Sequence, residues 1–381
     1  MNAVVTEVKK TIRSLTKYPI IIIFFVICTI TLLGYVLRAQ DDFSEMENRY
    51  LTKRPHITAQ SLTDGSYMDS FETYTNEQIP LRNMLVKCKA VFVWLTGSSE
   101  NDGIAKGADG YLFDKVMAYD KVQRNIKAVG NFAKSCGRDM YVAVAPTSTW
   151  INAEKLPTGM PVLDESACRD MLARELENVE NAHFIDLYEV LAAHRDEELF
   201  YRTDHHWTTK GAGYAYKEIA SAMGLEAEDI TSYEKHEAGG FYGTHYAKYK
   251  GIFIEPDTIE YYDVPIKELV LEKRTVNDLI DKDKLKGYDK YAAFMYGNDG
   301  IYTVDTGAGN GRELYILKDS YANCLIPYLV MNYDKITVID LRYFGGSVGD
   351  KLSEAESADV LLMYNWSFIN EDNHFYKMVG K

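Results

Sequence analysis

The chain is poor in cysteine and in clustered basic residues, and both shortages narrow what the protein can be. Among 381 residues it has five cysteines, none of them in a Cys-x-x-Cys pair. A disulfide framework is therefore not indicated, although it stays open. The formal net charge is −14, and no basic stripe follows residue 54, which argues against a nucleic-acid partner. The sequence also lacks internal repeats and low-complexity tracts, so it predicts neither a repeat array nor disorder.

An uncharged stretch runs from Tyr18 to Leu37 and predicts a transmembrane helix, since about 20 apolar residues suffice to cross a bilayer. Basic residues precede this stretch and acidic residues follow it. The positive-inside rule then predicts a cytoplasmic segment at 1–17, an anchor at 18–37 and an extracytoplasmic remainder, at the cell surface or in the periplasm. A cleaved signal peptide fits less well because its apolar region usually has about 7–15 residues. A buried core helix is a third, weaker interpretation.

The residues after the anchor predict an entry segment at 41–100 and a large α/β domain at 101–381. Short apolar strands alternate there with helical sequence, at Tyr141–Ala145, Phe184–Leu187, Leu314–Leu317, Ile336–Ile339 and Val360–Met363. This recurrence is typical of a doubly wound parallel sheet with helices on both faces. The rhythm breaks at about 226–311, where Tyr, Gly, Asp and Lys are frequent, and we interpret this segment as an insertion. Whether it is a lid, a substrate platform or a surface elaboration stays open.

Reactive groups in open α/β sheets collect at the carboxyl ends of the strands, so the polar residues near these ends are the candidates. The string Asp204-His205-His206-Trp207 stands directly before a predicted helix. A carboxylate two residues from an imidazole can orient the ring and stabilise its charged form, as the third member of a catalytic triad does. Asp204 could equally be a turn or cap residue. A metal site made of Asp204, His205 and His206 is a further alternative, but adjacent ligands seldom close a tetrahedral site.

Other candidates follow the later strands. Ser320 comes just after the strand at 314–317 and begins a predicted helix, where backbone N–H groups can receive an oxyanion. A structural N-cap serine occupies the same kind of position. Arg342 could hold a polar or anionic substrate group, and Asn365 could donate to an oxyanion. Tyr321, which follows the serine, is a further candidate for binding the oxyanion or the substrate. Each of these residues also has an ordinary structural interpretation, in a salt bridge, a loop or the core.

Several of these motifs together resemble the bacterial DHHW proteins, relatives of the SGNH-hydrolase-like alginate O-acetyltransferase proteins of the cell envelope. The resemblance covers most of the chain after the anchor. The motifs are Glu47-Asn48-Arg49, Pro80-Leu81-Arg82, Asp109-Gly110-Tyr111-Leu112-Phe113, Asp204-His205-His206-Trp207, Lys318-Asp319-Ser320 and Asp340-Leu341-Arg342-Tyr343-Phe344.

The resemblance implies a flavodoxin-like three-layer sandwich with a parallel sheet and a Ser-His-Asp triad. Ser320 would be the nucleophile, His206 the base and Asp204 the orienting carboxylate. The serine comes last in the chain, an order that looks like a circular permutation of the site in ordinary SGNH hydrolases. The related acetyltransferases carry another residue at the position of His205, so its role is open. Lys318 replaces a family glycine, which puts the tightness of the nucleophile turn in question.

The function that the resemblance implies is transfer of an acetyl group, through a serine ester, to hydroxyls of an exported polysaccharide or cell-wall glycan. It requires no metal and no tightly bound cofactor. A membrane-bound O-acyltransferase would supply the acetyl group from the cytoplasm. An acetylesterase with the same triad is an alternative that the sequence does not separate from a transferase. A non-catalytic glycan-binding or scaffold subunit is the other.

Overall fold

The computed structural model describes residues 17–37, 39–44, 49–116, 121–355 and 357–378. Nearly all of the predicted cytoplasmic segment 1–17 lies outside these ranges, as do Glu47 and Asn48 of the family motif. The chain divides into two compact units, residues 1–92 and residues 93–381. The predicted division into an entry segment at 41–100 and a domain at 101–381 stays a prediction.

The first unit is mainly helical. Its elements are α1 (Pro19–Leu37), β1 (Phe43–Ser44), β2 (Arg49–Tyr50), α2 (Ala59–Thr63), α3 (Ser66–Glu77) and α4 (Arg82–Leu95), the last of which continues into the second unit. β1 pairs with β2 in antiparallel fashion. α2 begins with a capping box, in which the side chain of Thr58 accepts a hydrogen bond from the backbone N–H of Ser61.

The predicted transmembrane helix at 18–37 is wrong. α1 covers most of that stretch, but no helix among the described residues is long and apolar enough to cross a membrane. The last turns of α1 pack within the unit, where Gly34 lies against Pro80 and Tyr35 donates a hydrogen bond to the carbonyl of Thr75. The membrane-anchored, extracytoplasmic location derived from this helix is contradicted with it.

The second unit contains the remaining elements. Its strands are β3 (Glu100–Asn101), β4 (Ile104–Lys106), β5 (Leu112–Asp114), β6 (Met140–Ala145), β7 (Ala182–Asp186), β8 (Lys235–Phe241), β9 (Asp257–Tyr262), β10 (Glu268–Val270), β11 (Thr275–Val276), β12 (Ile301–Asp305), β13 (Glu313–Lys318), β14 (Lys335–Asp340) and β15 (Asp359–Asn365). Its helices are α5 (Val122–Cys136), α6 (Ser148–Ile151), α7 (Glu165–Leu176), α8 (Tyr188–Ala192), α9 (Thr209–Ala222), α10 (Thr244–Tyr249), α11 (Ile326–Leu329), α12 (Val348–Leu352) and α13 (Trp366–Glu371).

Within the described residues an eight-stranded sheet forms the centre of this unit, in the order β11-β10-β12-β14-β13-β15-β6-β7. The strands from β14 to β7 are parallel, whereas β12, β10 and β11 are antiparallel to their neighbours. The predicted parallel sheet is therefore confirmed for one part and corrected at one edge, where the sheet is mixed. The antiparallel strands come from the segment 226–311, whose short strands carry no long apolar run that would reveal them.

The central sheet separates two apolar cores because successive side chains of a strand point to opposite faces. In β6, Ala143 and Ala145 pack in one core, while Val142 and Val144 pack in the other. The first core also contains the buried face of α9, and the second contains those of α5 and α7. Helices therefore cover both faces of the sheet, which gives the three layers of an α/β sandwich.

Candidate active site

Asp204, His206 and Ser320 form a hydrogen-bonded chain at the carboxyl end of the parallel strands. Ser320 follows β13, which lies between β14 and β15, and it begins a 3-10 turn at Ser320–Cys324. The Nε2 atom of His206 lies 2.7 Å from Oγ of Ser320, and its Nδ1 atom lies 2.5 Å from Oδ1 of Asp204. All three side chains are nearly buried, at 6% exposure or less. An imidazole held in this way can take a proton from the serine and pass it on.

The carboxylate of Asp204 is saturated with hydrogen bonds. Its Oδ1 atom also accepts from the backbone N–H of His206, at 2.9 Å, and its Oδ2 atom accepts from the backbone N–H and hydroxyl of Thr244, at 2.7 and 2.9 Å. Burial acts to raise the pKa of Asp204, but the neighbouring imidazoles and these donors outweigh it and hold the pKa well below its usual range. Asp204 is thus ionised, as a group that orients and stabilises a charged imidazole has to be.

Thr244 reaches Asp204 because the backbone approaches closely at Gly243, the residue before α10. A Cβ atom at this position would lie 2.6 Å from Cγ of Asp204 and would clash with it. A glycine followed by a helix-starting threonine is a visible sequence signal, but nothing in the sequence connects it with a carboxylate about 40 residues earlier.

Tyr291, which the sequence did not single out, holds the ring of His206. The two rings stack with centroids 3.7 Å apart and planes 10° apart, and the hydroxyl of Tyr291 donates to the backbone carbonyl of Ser320 at 3.0 Å. On the other side, Nε1 of Trp207 donates to the carbonyl of Tyr321 at 2.9 Å. These contacts tie the loop that carries the histidines to the turn that carries the serine.

Tyr321, Asn365 and Arg342, the remaining predicted residues, have polar groups that are engaged within the protein. The hydroxyl of Tyr321 donates to the carbonyl of His205. The side chain of Asn365 caps α13 and donates to the carbonyls of Ala145 and Pro146, at 3.1 and 3.4 Å. Their predicted roles toward a substrate or an oxyanion stay predictions.

Arg342 is engaged by a single carboxylate. Its Nε and Nη2 atoms donate to the two oxygens of Asp340, at 2.9 and 2.6 Å. This bidentate pair directs the fork of the guanidinium toward the protein rather than toward a ligand. Its Cζ atom also lies 4.9 Å from the ring centroid of Phe368 and 5.4 Å from that of Tyr343.

Lys318, the last residue of β13, is completely buried. Its Nζ atom donates to the amide oxygens of Asn298 and Asn323, at 2.7 and 2.6 Å, and lies 3.7 Å from Oδ2 of Asp340. Burial lowers the pKa of Lys318 to about 8, against the attraction of Asp340. Asn323 belongs to the 3-10 turn that begins at Ser320, so the hydrogen bond from Lys318 stabilises the turn that carries this serine.

Asp204, His205 and His206 offer ligand atoms that lie within 4.8 Å of one another, as a metal site requires. The hydrogen bonds of these atoms compete with that role, since both nitrogens of His206 are engaged by Asp204 and Ser320. Nδ1 of His205 is likewise engaged, lying 2.6 Å from Oγ1 of Thr244. The donor set therefore matches a proton-transfer chain better than a coordination sphere.

An α/β sandwich with a Ser-His-Asp chain at the carboxyl ends of its strands defines a class of proteins capable of acyl-transfer chemistry. Within that class, the model of the DHHW protein family matches residues 117–339, more than half of the sequence. The chain belongs to the DHHW family.

Solved structures share this fold. A DHHW family protein from Eubacterium siraeum DSM 15702 is 24% identical, with a TM-score of 0.62 over 73% of this chain and 95% of that one. PatB1 from Bacillus cereus is 20% identical, with a TM-score of 0.59 over 72% of this chain and 99% of that one, and it has also been solved with a sulfonyl adduct. At these identities the likeness shows the fold alone.

A curated relative is the probable alginate O-acetylase AlgJ of Pseudomonas syringae pv. tomato. It is 23% identical over 179 residues, which are 44% of this chain and 45% of AlgJ. The matched region therefore spans less than half of the length of either protein.

Proposed function

We propose that the protein is a serine-dependent O-acetyltransferase that moves an acetyl group to a hydroxyl of a polysaccharide. The observation that carries this proposal is the hydrogen-bonded chain from Asp204 through His206 to Ser320, in which the serine oxygen lies 2.7 Å from the imidazole nitrogen. A serine that acts only as a helix cap needs neither this imidazole nor the carboxylate behind it.

In the first step His206 takes the hydroxyl proton of Ser320 while Oγ attacks the carbonyl carbon of an acetyl ester. The tetrahedral oxyanion is stabilised by backbone N–H groups of the nucleophile turn, and the leaving alcohol receives the proton from His206. In the second step a polysaccharide hydroxyl gives its proton to His206 and attacks the acetyl-serine. The product ester forms, and His206 returns the proton to the departing Oγ of Ser320. Asp204 stabilises the imidazolium in both steps.

Two relatives support this proposal. AlgJ of Pseudomonas syringae is described as a probable alginate O-acetylase, and Bacillus cereus PatB1 has been solved with a sulfonyl adduct. Sulfonyl reagents react with activated nucleophiles, and we expect such a reagent to modify Ser320 here. A membrane-bound O-acyltransferase as the source of the acetyl group stays a proposal that comes from the family resemblance.

The test is intact-mass analysis of the full chain after incubation with p-nitrophenyl acetate. Wild-type protein is expected to gain the mass of one acetyl group at Ser320. The Ser320→Ala variant should lose this adduct and turn over at least about 10³-fold more slowly. Ser347→Ala is the matched control, because Ser347 is a serine that only caps a helix, at the start of α12.

The same experiment separates the alternatives. If acetyl-serine forms and water removes the group equally fast with and without oligosaccharides, the protein is an esterase. If both the wild-type protein and Ser320→Ala show neither the adduct nor turnover, the catalytic proposal is refuted and a binding or scaffold subunit is favoured.

A further inference from the structure

A cavity of about 270 Å³ lies beside the candidate active site in the second unit. The wall of the cavity includes Asp114, Glu165, His205, His245, Tyr321 and Phe368. The ring of His205 lies against that of His206, with centroids 3.8 Å apart, and Tyr321 directly follows Ser320. The volume falls just below the usual range of about 300–1,000 Å³ for ligand pockets, so the cavity suits a small group such as one sugar unit.

The proton of His205 can be assigned from its neighbours. Oγ1 of Thr244 lies 2.9 Å from the ionised Oδ2 of Asp204, and two oxygens approach this closely when a proton lies between them. The hydroxyl of Thr244 therefore donates to Asp204 and accepts from Nδ1–H of His205, which is 2.6 Å away. This leaves Nε2 of His205 with a lone pair, and that atom is buried without a hydrogen-bond partner. Desolvation lowers the pKa of His205 to about 3, which keeps the ring neutral.

His245 supplies the complementary donor. Its side chain is only 6% exposed, and its Nε2 atom lies 3.0 Å from Oδ1 of Asp114, so the carboxylate favours a proton on the ring. Its Nδ1 atom is buried without a hydrogen-bond partner, whereas Nε2 is paired with the carboxylate of Asp114. The rings of His245 and His205 have their centroids 6.0 Å apart. Unpaired buried nitrogens are costly, and a group that both donates and accepts would satisfy a lone pair and an N–H together.

The charged groups that line the cavity balance one another, so none of them is left over to bind an anionic ligand. Burial acts to raise the pKa of Asp114, but His245 outweighs it and lowers the pKa to about 2, so this carboxylate is ionised. Glu371 adds a second carboxyl group at the rim, opposed by the exposed ammonium of Lys248. Burial raises the pKa of Glu165 to about 8, which leaves it protonated and uncharged at neutral pH. A uronate would find no unbalanced cation here to offset the loss of its hydration, whereas a neutral sugar carries no charge that has to be desolvated.

We propose that this cavity is the acceptor subsite and that it binds a neutral sugar unit, one hydroxyl of which donates to Nε2 of His205 and accepts from His245. The proposal rests on the proposed function and assigns a substrate class to the same site. The apolar faces of Phe368 and Tyr321 complete the wall against which a sugar ring packs. His205, whose role the sequence left open, is then a substrate-binding residue next to the catalytic base.

The test measures binding separately from catalysis. The full chain carrying Ser320→Ala is titrated calorimetrically with a glucose tetramer, an N-acetylglucosamine tetramer and a uronic acid tetramer. At least one neutral tetramer is expected to bind about tenfold more tightly than the uronate. Adding His245→Gln should weaken that binding by about tenfold, the effect of losing one hydrogen bond.

His236→Gln is the matched control, since Nε2 of His236 also lies 3.0 Å from an aspartate oxygen, that of Asp263, but outside the cavity. It should leave the affinity unchanged. Ser367→Phe is a second variant, which places a large side chain at the half-buried rim of the cavity and should abolish binding.

The outcomes distinguish the two proposals. If neither neutral tetramer binds, if the uronate binds as tightly, or if both cavity variants bind like their parent, the subsite proposal is overturned whether or not Ser320 is acetylated. Binding that depends on His245 in a protein whose Ser320 never becomes acetylated would support the subsite and refute the transferase.

Discussion

Gly243→Ala is expected to disable the candidate site by displacing Asp204. The new Cβ atom would lie 2.6 Å from Cγ of Asp204, whereas ordinary contacts of this kind are 3.4–4 Å, so the carboxylate or the backbone has to move by about 1 Å. The backbone itself allows alanine, because φ at Gly243 is −84°. A misplacement of about 1 Å in a catalytic constellation typically costs about 10²-fold in rate, and we expect that loss in acetylation of Ser320.

The assay is the initial rate of acetyl-serine formation with p-nitrophenyl acetate, and the unfolding midpoint is measured on the same samples. Gly239→Ala is the control: Gly239 lies in β8, just before α10, and the atom nearest to its added Cβ would be Oγ1 of Thr258, at 3.8 Å. It should react at the wild-type rate. If Gly243→Ala also keeps the wild-type rate and midpoint, the close approach of Gly243 to Asp204 does not position the carboxylate.

Further predictions concern other buried groups of the second unit. Because the pKa of Glu165 is raised from 4.5 to about 8, its native state binds the extra proton, and the free energy of unfolding should fall by about 1.4 kcal/mol per pH unit between about pH 4.5 and 8. Glu165→Gln should remove that slope in urea titrations, and a slope that persists would contradict the assignment. Lys318→Met removes the lysine donor to the buried amide oxygen of Asn323, so it should lower the free energy of unfolding by about 1–3 kcal/mol, whereas Lys335→Met on the surface should change it by less than about 0.5 kcal/mol. Tyr291→Phe keeps the ring stacked on His206 and should retain most of the acetylation rate, whereas Tyr291→Leu should lose about tenfold or more; equal rates for the two variants would show that stacking does not position the imidazole.

The buried strands were largely predictable because short, continuous apolar runs bounded by turn residues are typical of buried strands. The run Leu314–Leu317 became the core of β13 (Glu313–Lys318), and Val360–Met363 became the core of β15 (Asp359–Asn365). The antiparallel strands β10, β11 and β12 were missed because they are short and lie in a tyrosine-rich segment. Their strand structure depends on pairing with β14 and with one another, which a local pattern does not reveal.

For the N-terminal helix, the sequence pattern predicted a feature that the structure contradicts. An uncharged run was interpreted as a membrane crossing, and hydropathy alone does not say where a helix begins or what its end packs against. α1 begins at Pro19, after the start of that run, and its last turns contact Thr75 and Pro80. Its length and its neighbours were decided by the folded unit.

The sequence by itself determined the chemical identity of the candidate site, because an aspartate two residues before a histidine and a serine after a buried strand can be read directly. It also determined that such residues collect at strand ends, a consequence of parallel sheet geometry. Only the tertiary structure decided that His206 and Ser320, 114 residues apart, meet at 2.7 Å, that Tyr291 stacks on the imidazole, and that His205 and His245 face one cavity. These contacts depend on the order of the strands and on loop closure across the sheet, and neither leaves a periodic trace in the sequence.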